Sequence, residues 1–271
     1  LGDVYKRQMS GLIAKDISKK YNIPYIFTSH SLGVFLDGYN KERADCEKLV
    51  MSDSQFVTAS TNYENNLISD SYQIDKKKIK LINPGIDSEL FSPDPSIKRE
   101  NIFMSIGRIQ EQKGQLETLL FLNYFKKIEN NFKCYIVGGP SGSSGKDYLL
   151  KLKESVQELD LESHVEFLGN LPQINIRDLL NRSKLLIHTS RYETFGLVAI
   201  EANAMGVPVF TTNNGSMKEI ITNKENGYLA EDIKDKNANT LIKNLTNNNQ
   251  YFEEVMTCLL YTSDAADDLV C

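Results

Sequence analysis

Two glutamates eight residues apart, Glu193 and Glu201, bracket the stretch Arg191-Tyr-Glu-Thr-Phe-Gly-Leu-Val-Ala-Ile-Glu201. Carboxylates accept hydrogen bonds from hydroxyl groups. Between them Thr194 is placed to cap a helix that Phe195 and Gly196 open, and Leu197, Val198, Ile200 and Ala204 give that helix a buried face. A helix start offers unsatisfied N–H groups and the positive end of its dipole, which suits phosphate. Glu193 sits before the first turn while Glu201 lies roughly 7 Å along the axis from the helix start, at about 1.5 Å per residue, so the pair can serve opposite ends of one elongated ligand. A sugar on one side of a diphosphate and a ribose on the other describes a nucleotide-sugar.

Two cations suit the same ligand. Arg108 follows Gly107 at the exit of an apolar run, 102–106, and Lys113 comes five residues later at a helix start. Strand exits of this kind open into the ligand crevice of α/β sheets, where arginine and lysine can neutralise a departing diphosphate. A helix start occupied by ordinary surface charge would favour carboxylates instead. His30 stands at a strand exit in the context Ser-His-Ser-Leu-Gly33, whereas His164 and His188 lack such a context and are expected to be structural. The glycine-rich Gly138-Gly-Pro-Ser-Gly-Ser-Ser-Gly-Lys146 fails as a phosphate loop: Pro140 stands where the first glycine is needed and Asp147 where Ser or Thr is needed. It reads instead as a flexible turn. There is no Asp-x-Asp and no His/Cys cluster at metal-ligand spacing, so no metal site is expected.

The elements that must position these residues alternate. Apolar runs at 25–28, 56–59, 80–82, 102–106, 134–137, 165–168, 185–188 and 207–211 predict strands. Amphipathic stretches at 11–20, 43–51, 115–127, 146–159, 176–181, 196–205 and 217–222 predict helices. This βαβα order predicts an α/β fold with parallel sheets covered on both faces. The polar, proline-bearing 88–100 is expected as the hinge between a domain at 9–95 and another at 96–257.

The chain has 271 residues, 41% hydrophobic and 25% charged, an ordinary balance for globular domains. No apolar run reaches membrane-spanning length. Residues 1–8 and 258–271 resemble translated sequencing-adapter sequence, so 9–257 is expected to be an internal piece of a longer chain, inactive alone. Leaving out Lys6, Arg7, Asp3, Asp264, Asp267 and Asp268 moves the formal net charge from −5 to −3, which speaks against a nucleic-acid partner. Of the four cysteines, Cys258 and Cys271 fall in the excluded tail. Cys46 and Cys134, in a predicted helix and a predicted strand, read as buried thiols of a reducing compartment.

Seven ordered stretches carry a family resemblance. Besides the Glu-x7-Glu segment they are Thr28-Ser-His-Ser-Leu-Gly33, Asn83-Pro-Gly-Ile-Asp87 with Phe91, Gly107-Arg108 with Lys113-Gly114, Val137-Gly-Gly-Pro-Ser141, Phe167-Leu-Gly169 and Asn213-Asn-Gly-Ser-Met-Lys-Glu219. The chain resembles the retaining glycosyltransferases of family four, the sucrose-phosphate-synthase-like group 1 enzymes. The resemblance implies a GT-B fold of two Rossmann-like domains, the N-terminal one truncated here and the C-terminal one lacking its last helix. It implies sugar transfer from a nucleotide-sugar, UDP-glucose or a relative such as GDP-mannose, to an acceptor hydroxyl with retention and without a metal cofactor. Arg108 and Lys113 would serve the leaving diphosphate, Glu193 and His30 the donor sugar, Glu201 the ribose, and Gly107, Gly169, Phe195, Gly196 and Leu197 the lining of the nucleotide-sugar site. A sugar phosphate, a polysaccharide or a lipid-linked glycan fits as acceptor; Val34-Phe35-Leu36 stands where phosphate-using members carry a basic residue, which counts against the first. A cytoplasmic protein, soluble or peripheral at the inner membrane face, is expected. The rivals are a nucleotide-sugar epimerase of the same fold, which should lack the Glu-x7-Glu helix, and a non-catalytic binding protein, which should have lost Arg108, Lys113 or Glu201.

Overall fold

The computed structural model describes residues 2–28, 32–33, 41–222 and 225–231. They divide into two compact units between Pro84 and Gly85. In the first, α1 (Gly2–Tyr21), β1 (Ile26–Thr28), α2 (Lys41–Asp53), β2 (Phe56–Ala59), α3 (Asn62–Tyr72) and β3 (Ile79–Leu81) follow one another, with a 3-10 turn at Lys76–Lys78. The strands are parallel in the order β1-β2-β3, with Ile26 opposite Phe56 and Val57 opposite Ile79. Val57, Ala59 and Ile79 from the sheet pack with Met51 of α2 and Ile68 and Tyr72 of α3. Helix α1 begins earlier than its predicted start and takes in residues 2–8.

Patterning assigns no helix to Asn62–Tyr72, because Asn-Tyr-Glu-Asn-Asn-Leu-Ile-Ser-Asp-Ser-Tyr carries little apolar periodicity. Its caps make the helix. The Thr61 hydroxyl accepts from Glu64 N at 3.1 Å, the Glu64 carboxylate reaches back to Ser60 N at 2.7 Å, and Gln73 closes the far end in the left-handed region.

The second unit contains β4 (Ile102–Ile106), α4 (Gln115–Lys126), β5 (Lys133–Val137), α5 (Gly145–Glu158), β6 (Val165–Gly169), α6 (Gln173–Arg182), β7 (Leu185–His188), α7 (Leu197–Ala204), β8 (Val209–Thr212), α8 (Met217–Ile220) and β9 (Gly227–Ala230). Its six strands are all parallel in the order β6-β5-β4-β7-β8-β9. This is the doubly wound arrangement, in which the chain turns from one side of the sheet to the other between β4 and β7. Neighbouring strand residues point to opposite faces. Phe103 joins Leu119, Phe125 and Leu152 of α4 and α5 on one face, while Ile102 and Met104 join Leu180, Ala199 and Met217 of α6, α7 and α8 on the other. Burial on both sides explains why these strands read as unbroken apolar runs. The edge strand β9 has no such run and escapes prediction.

The expected hinge, 88–100, folds with the second unit. Phe91 is buried in its core beside Leu90 and Ile86. Arg99 donates from Nη1 to the carbonyls of Leu180 and Ser183 and from Nη2 to that of Met205, at 2.9, 2.8 and 2.5 Å. Those carbonyls lie at the ends of α6 and α7, where helices leave acceptors unmet, so the segment is fastened rather than free. On β5, burial pushes the Cys134 thiol up to about 12, as expected of an inert buried thiol, whereas Cys46 on α2 is only partly covered. His164 is structural as expected: it stacks on Phe132 with ring centroids 4.6 Å apart, and its ring nitrogens lie at 2.9 Å from Ser163 Oγ and from Asn130 Oδ1.

Candidate functional site

At the turn-around of the doubly wound sheet, the helices after β4 and β7 leave toward opposite faces, and a crevice opens outside the carboxyl ends of the two strands. The turn after β4 supplies Gly107, Arg108 and Lys113. The turn after β7 supplies Thr189 to Gly196 and then α7. The two turns are fastened together. Thr189 Oγ1 donates to the Gly114 carbonyl at 2.6 Å, Arg191 N donates to Gln112 O at 2.9 Å, and the Arg191 guanidinium pairs with Glu117 at 2.8 Å. Gly114 is required here: its φ is +70°, and a β-carbon would overlap the Thr189 carbonyl.

Helix α7 begins differently from the expectation. Gly196, not Thr194, is its N-cap, at φ 92° and ψ 50°, and no side chain caps the first turn. A β-carbon at Gly196 would also overlap the Met217 methyl. The first backbone hydrogen bonds of the helix run from Ala199 and Ile200 to Gly196 O. The N–H groups of Gly196, Leu197 and Val198 therefore meet no acceptor among the described residues, and Leu197 lies exposed at the helix start. Uncapped N–H groups at a positive helix end favour an anionic ligand.

The four charged groups split into two kinds. Lys113 and Glu193 are bound to each other, Nζ to Oε2, at 2.8 Å, with side chains only 21% and 15% exposed. His188, at the end of β7, brings Nε2 to 3.3 Å from the same oxygen, in contact but not aligned as a hydrogen bond. Burial pushes the Glu193 carboxyl up, yet the His188 ring and the Lys113 ammonium outweigh it and hold the group at about 2. Its backbone is fixed too, since Ser216 donates to Glu193 O from N and from Oγ, both at 3.1 Å. Arg108 and Glu201 have no side-chain partner among the described residues. The Arg108 side chain is exposed and meets no carboxylate among the described residues. Glu201, on the second turn of α7, is half-buried with no partner among the described residues, and burial raises its carboxyl above the ordinary value.

Lys113 is thus already paired with a carboxylate, and the ring of His188, expected to be structural, stands beside that same carboxylate. Lys113 and Glu193 are 80 residues apart, and no local pattern announces their pairing. For His188 a signal existed: it lies five residues before Glu193 at the exit of an apolar run, the place where Arg108 was picked out. Gly169 closes β6 at φ +68°, and its carbonyl accepts from Gly138 N at 2.8 Å. The turn after β5 is tied down by Ile109 N to Gly139 O at 2.9 Å and Gln110 Nε2 to Ser141 O at 3.3 Å. His30 and Val34-Phe35-Leu36 lie outside the described residues. Among the described residues no three of His, Cys, Asp and Glu gather as a metal-holding group, and no helix is long and apolar enough to cross a membrane.

Residues 87–256 match the family model described as glycosyl transferases group 1, and residues 8–90 match glycosyltransferase family 4. The chain belongs to the glycosyl transferases group 1. Mannosylfructose-phosphate synthase of Agrobacterium fabrum is 26% identical over 251 residues, covering 82% of this chain and 55% of its own length. A D-inositol 3-phosphate glycosyltransferase of Frankia alni is 29% identical over 245 residues, with 82% and 59% covered. The chain therefore spans little more than half the length of these group 1 relatives. Among solved structures, Anabaena Alr3699/HepE in complex with UDP and glucose has a TM-score of 0.83 at 18% identity, over 95% of this chain and 71% of that one. Sucrose-phosphate synthase from Thermosynechococcus elongatus has a TM-score of 0.77 at 22% identity, over 97% and 72%. These likenesses show the fold, two Rossmann-like α/β units of the GT-B class.

Proposed function

We propose that the second unit is the donor side of a retaining glycosyltransferase, which moves a sugar from a nucleotide-sugar to an acceptor hydroxyl. The observation that carries this is the set of unmet groups at one crevice: the Arg108 guanidinium, the N–H groups of Gly196 to Val198, and the partnerless carboxylate of Glu201. The first two complement a diphosphate, and the third complements ribose hydroxyls. Glu193, ionised and fixed, is suited to accept hydrogen bonds from the donor sugar. Gly107, Gly169, Phe195 and Leu197 line the donor.

As the bond between sugar and phosphate breaks, negative charge grows on the diphosphate. Arg108, Lys113 and the α7 start stabilise it, so no metal is needed. The acceptor oxygen bonds the anomeric carbon on the face the phosphate leaves, and its proton passes to the departing phosphate, which gives retention. UDP-glucose is the proposed donor, and it is the sugar nucleotide bound to Alr3699/HepE in a further solved structure. A hydroxyl of a sugar phosphate or of a glycan is the proposed acceptor class, the former in keeping with the names of the curated relatives. The proposed location is the cytoplasm, where nucleotide-sugars are made. The test is transfer by the full-length gene product from UDP-glucose and GDP-mannose to an acceptor panel, with the product anomer read by NMR. Retained configuration is expected, and an inverted product would contradict the mechanism.

A further inference from the structure

Lys113 is claimed twice. It holds Glu193 at 2.8 Å, and a diphosphate at the β4 turn would draw the same ammonium. If Lys113 moved with nothing in its place, a largely buried carboxylate would be left without a counter-charge, a costly arrangement. The structure holds a second group for that oxygen. His188 Nε2 stands 3.3 Å from Glu193 Oε2 on a ring whose residue is 5% exposed, and it has no other partner. It is carried by β7, an interior strand paired to β8 through His188 and Thr211 and to β4 through Leu186 and Met104. Lys113 by contrast ends a 3-10 turn and reaches Glu193 through a long flexible stem. One partner is rigid and the other can swing.

We propose that His188 is a positioning residue that keeps the Glu193 carboxylate in place while Lys113 is handed over to the donor diphosphate. The hand-over rests on the glycosyltransferase reading; the hold of His188 on Glu193 does not. The charged or titratable groups facing the carboxylate are Lys113 from the β4 turn and His188 from the end of β7. The turn before α8 meets it with Gly215 and Ser216, which carry no charge. In the hand-over the Lys113–Glu193 contact is exchanged for a Lys113–phosphate contact, the His188 contact closes to hydrogen-bond alignment, and no covalent bond changes.

The test uses the full chain with carbon-13-labelled glutamate, the Glu193 carboxyl signal being identified by its loss in Glu193→Gln. Without nucleotide, His188→Ala should raise the titration midpoint of this carboxyl by about one pH unit or more, the usual effect of removing an opposite charge within contact distance. His188→Gln, whose amide nitrogen can stand where Nε2 stands, should recover part of that shift and guards against a variant that simply misfolds. With UDP the wild-type signal should remain that of an ionised carboxylate, while in His188→Ala protonation should appear at a higher pH than without UDP. An unchanged midpoint in both variants without nucleotide overturns the pairing. A midpoint that rises in the variants but does not respond to UDP overturns the hand-over alone. Absence of transfer by the full-length protein would count against the proposed reaction and leave the UDP-free result standing.

Discussion

Glu193 and Glu201 are the same residue type at the two ends of one short segment, and the fold treats them in opposite ways. Glu193 sits where two strand-exit turns meet, so a lysine from one pairs with it, the histidine ring at the other stands beside it, and its carboxyl is held at about 2. Glu201 sits one turn into α7, where the surroundings cover it without offering a partner, and burial alone pushes its carboxyl up. The cations divide likewise, with Lys113 engaged and Arg108 free. Position at the turn-around of the sheet selects which charges are already paired within the fold and which stand open to a ligand.

The largest expected effect falls on a free charge. Arg108→Ala should lower kcat about 10²–10³-fold in the full-length enzyme, by analogy with removing one donor that stabilises transition-state charge. Steady-state kinetics read this, and a change in KM alone would make Arg108 a ground-state binding group. Next comes an engaged charge. Glu193→Gln should destabilise the second unit at pH 7 by about 1.5–3 kcal/mol, the scale of hydrogen bonds to a charged group, measured by denaturant unfolding. Because the Glu193 carboxyl is held below its ordinary value, its contribution is present at neutral pH. It fades as pH falls through the ordinary carboxylate range toward about 2, so the difference from wild type should shrink in acid.

Gly196→Ala should cost about 1–3 kcal/mol, since φ 92° is foreign to residues with a β-carbon and Met217 stands in the way. Glu201→Gln should have the smallest effect and the opposite sign from Glu193→Gln. Its raised carboxyl means that the ionised form is disfavoured in the fold, so removing the charge should stabilise slightly at neutral pH, by less than about 0.5 kcal/mol, and change nothing below the carboxylate range. A destabilised Glu201→Gln protein would show that Glu201 has a structural partner after all.

Much of the second unit was legible because its strands are buried on both faces and its helices carry regular apolar periodicity. Phe103 and Met104 already announce two covered faces. What stayed hidden was set by contacts distant in sequence or by backbone alone. Thr194 satisfies every rule for a cap, yet the chain enters α7 through the left-handed Gly196 because Met217 and Ser216 of the α8 turn pack beneath it. The pairing of Lys113 with Glu193 depends on β4 and β7 being neighbours, which a βαβα pattern does not reveal. Helix α3 was signalled by Thr61 and Glu64, a capping pair that periodicity overlooks. The 88–100 segment reads as a linker until Arg99 is seen to cap two helices.

Calorimetric titration of UDP into the chain and two variants tests the division of labour most directly. Glu201→Ala should weaken binding by about 1.5–3 kcal/mol, roughly 10- to 150-fold, through the lost ribose contacts. Glu193→Gln should leave UDP affinity unchanged or tighten it, since UDP lacks the sugar that Glu193 is proposed to hold and Lys113 is released toward the diphosphate. Equal weakening in both variants, or a loss confined to Glu193→Gln, would contradict the assignment of Glu201 to the nucleotide and of Glu193 to the donor sugar.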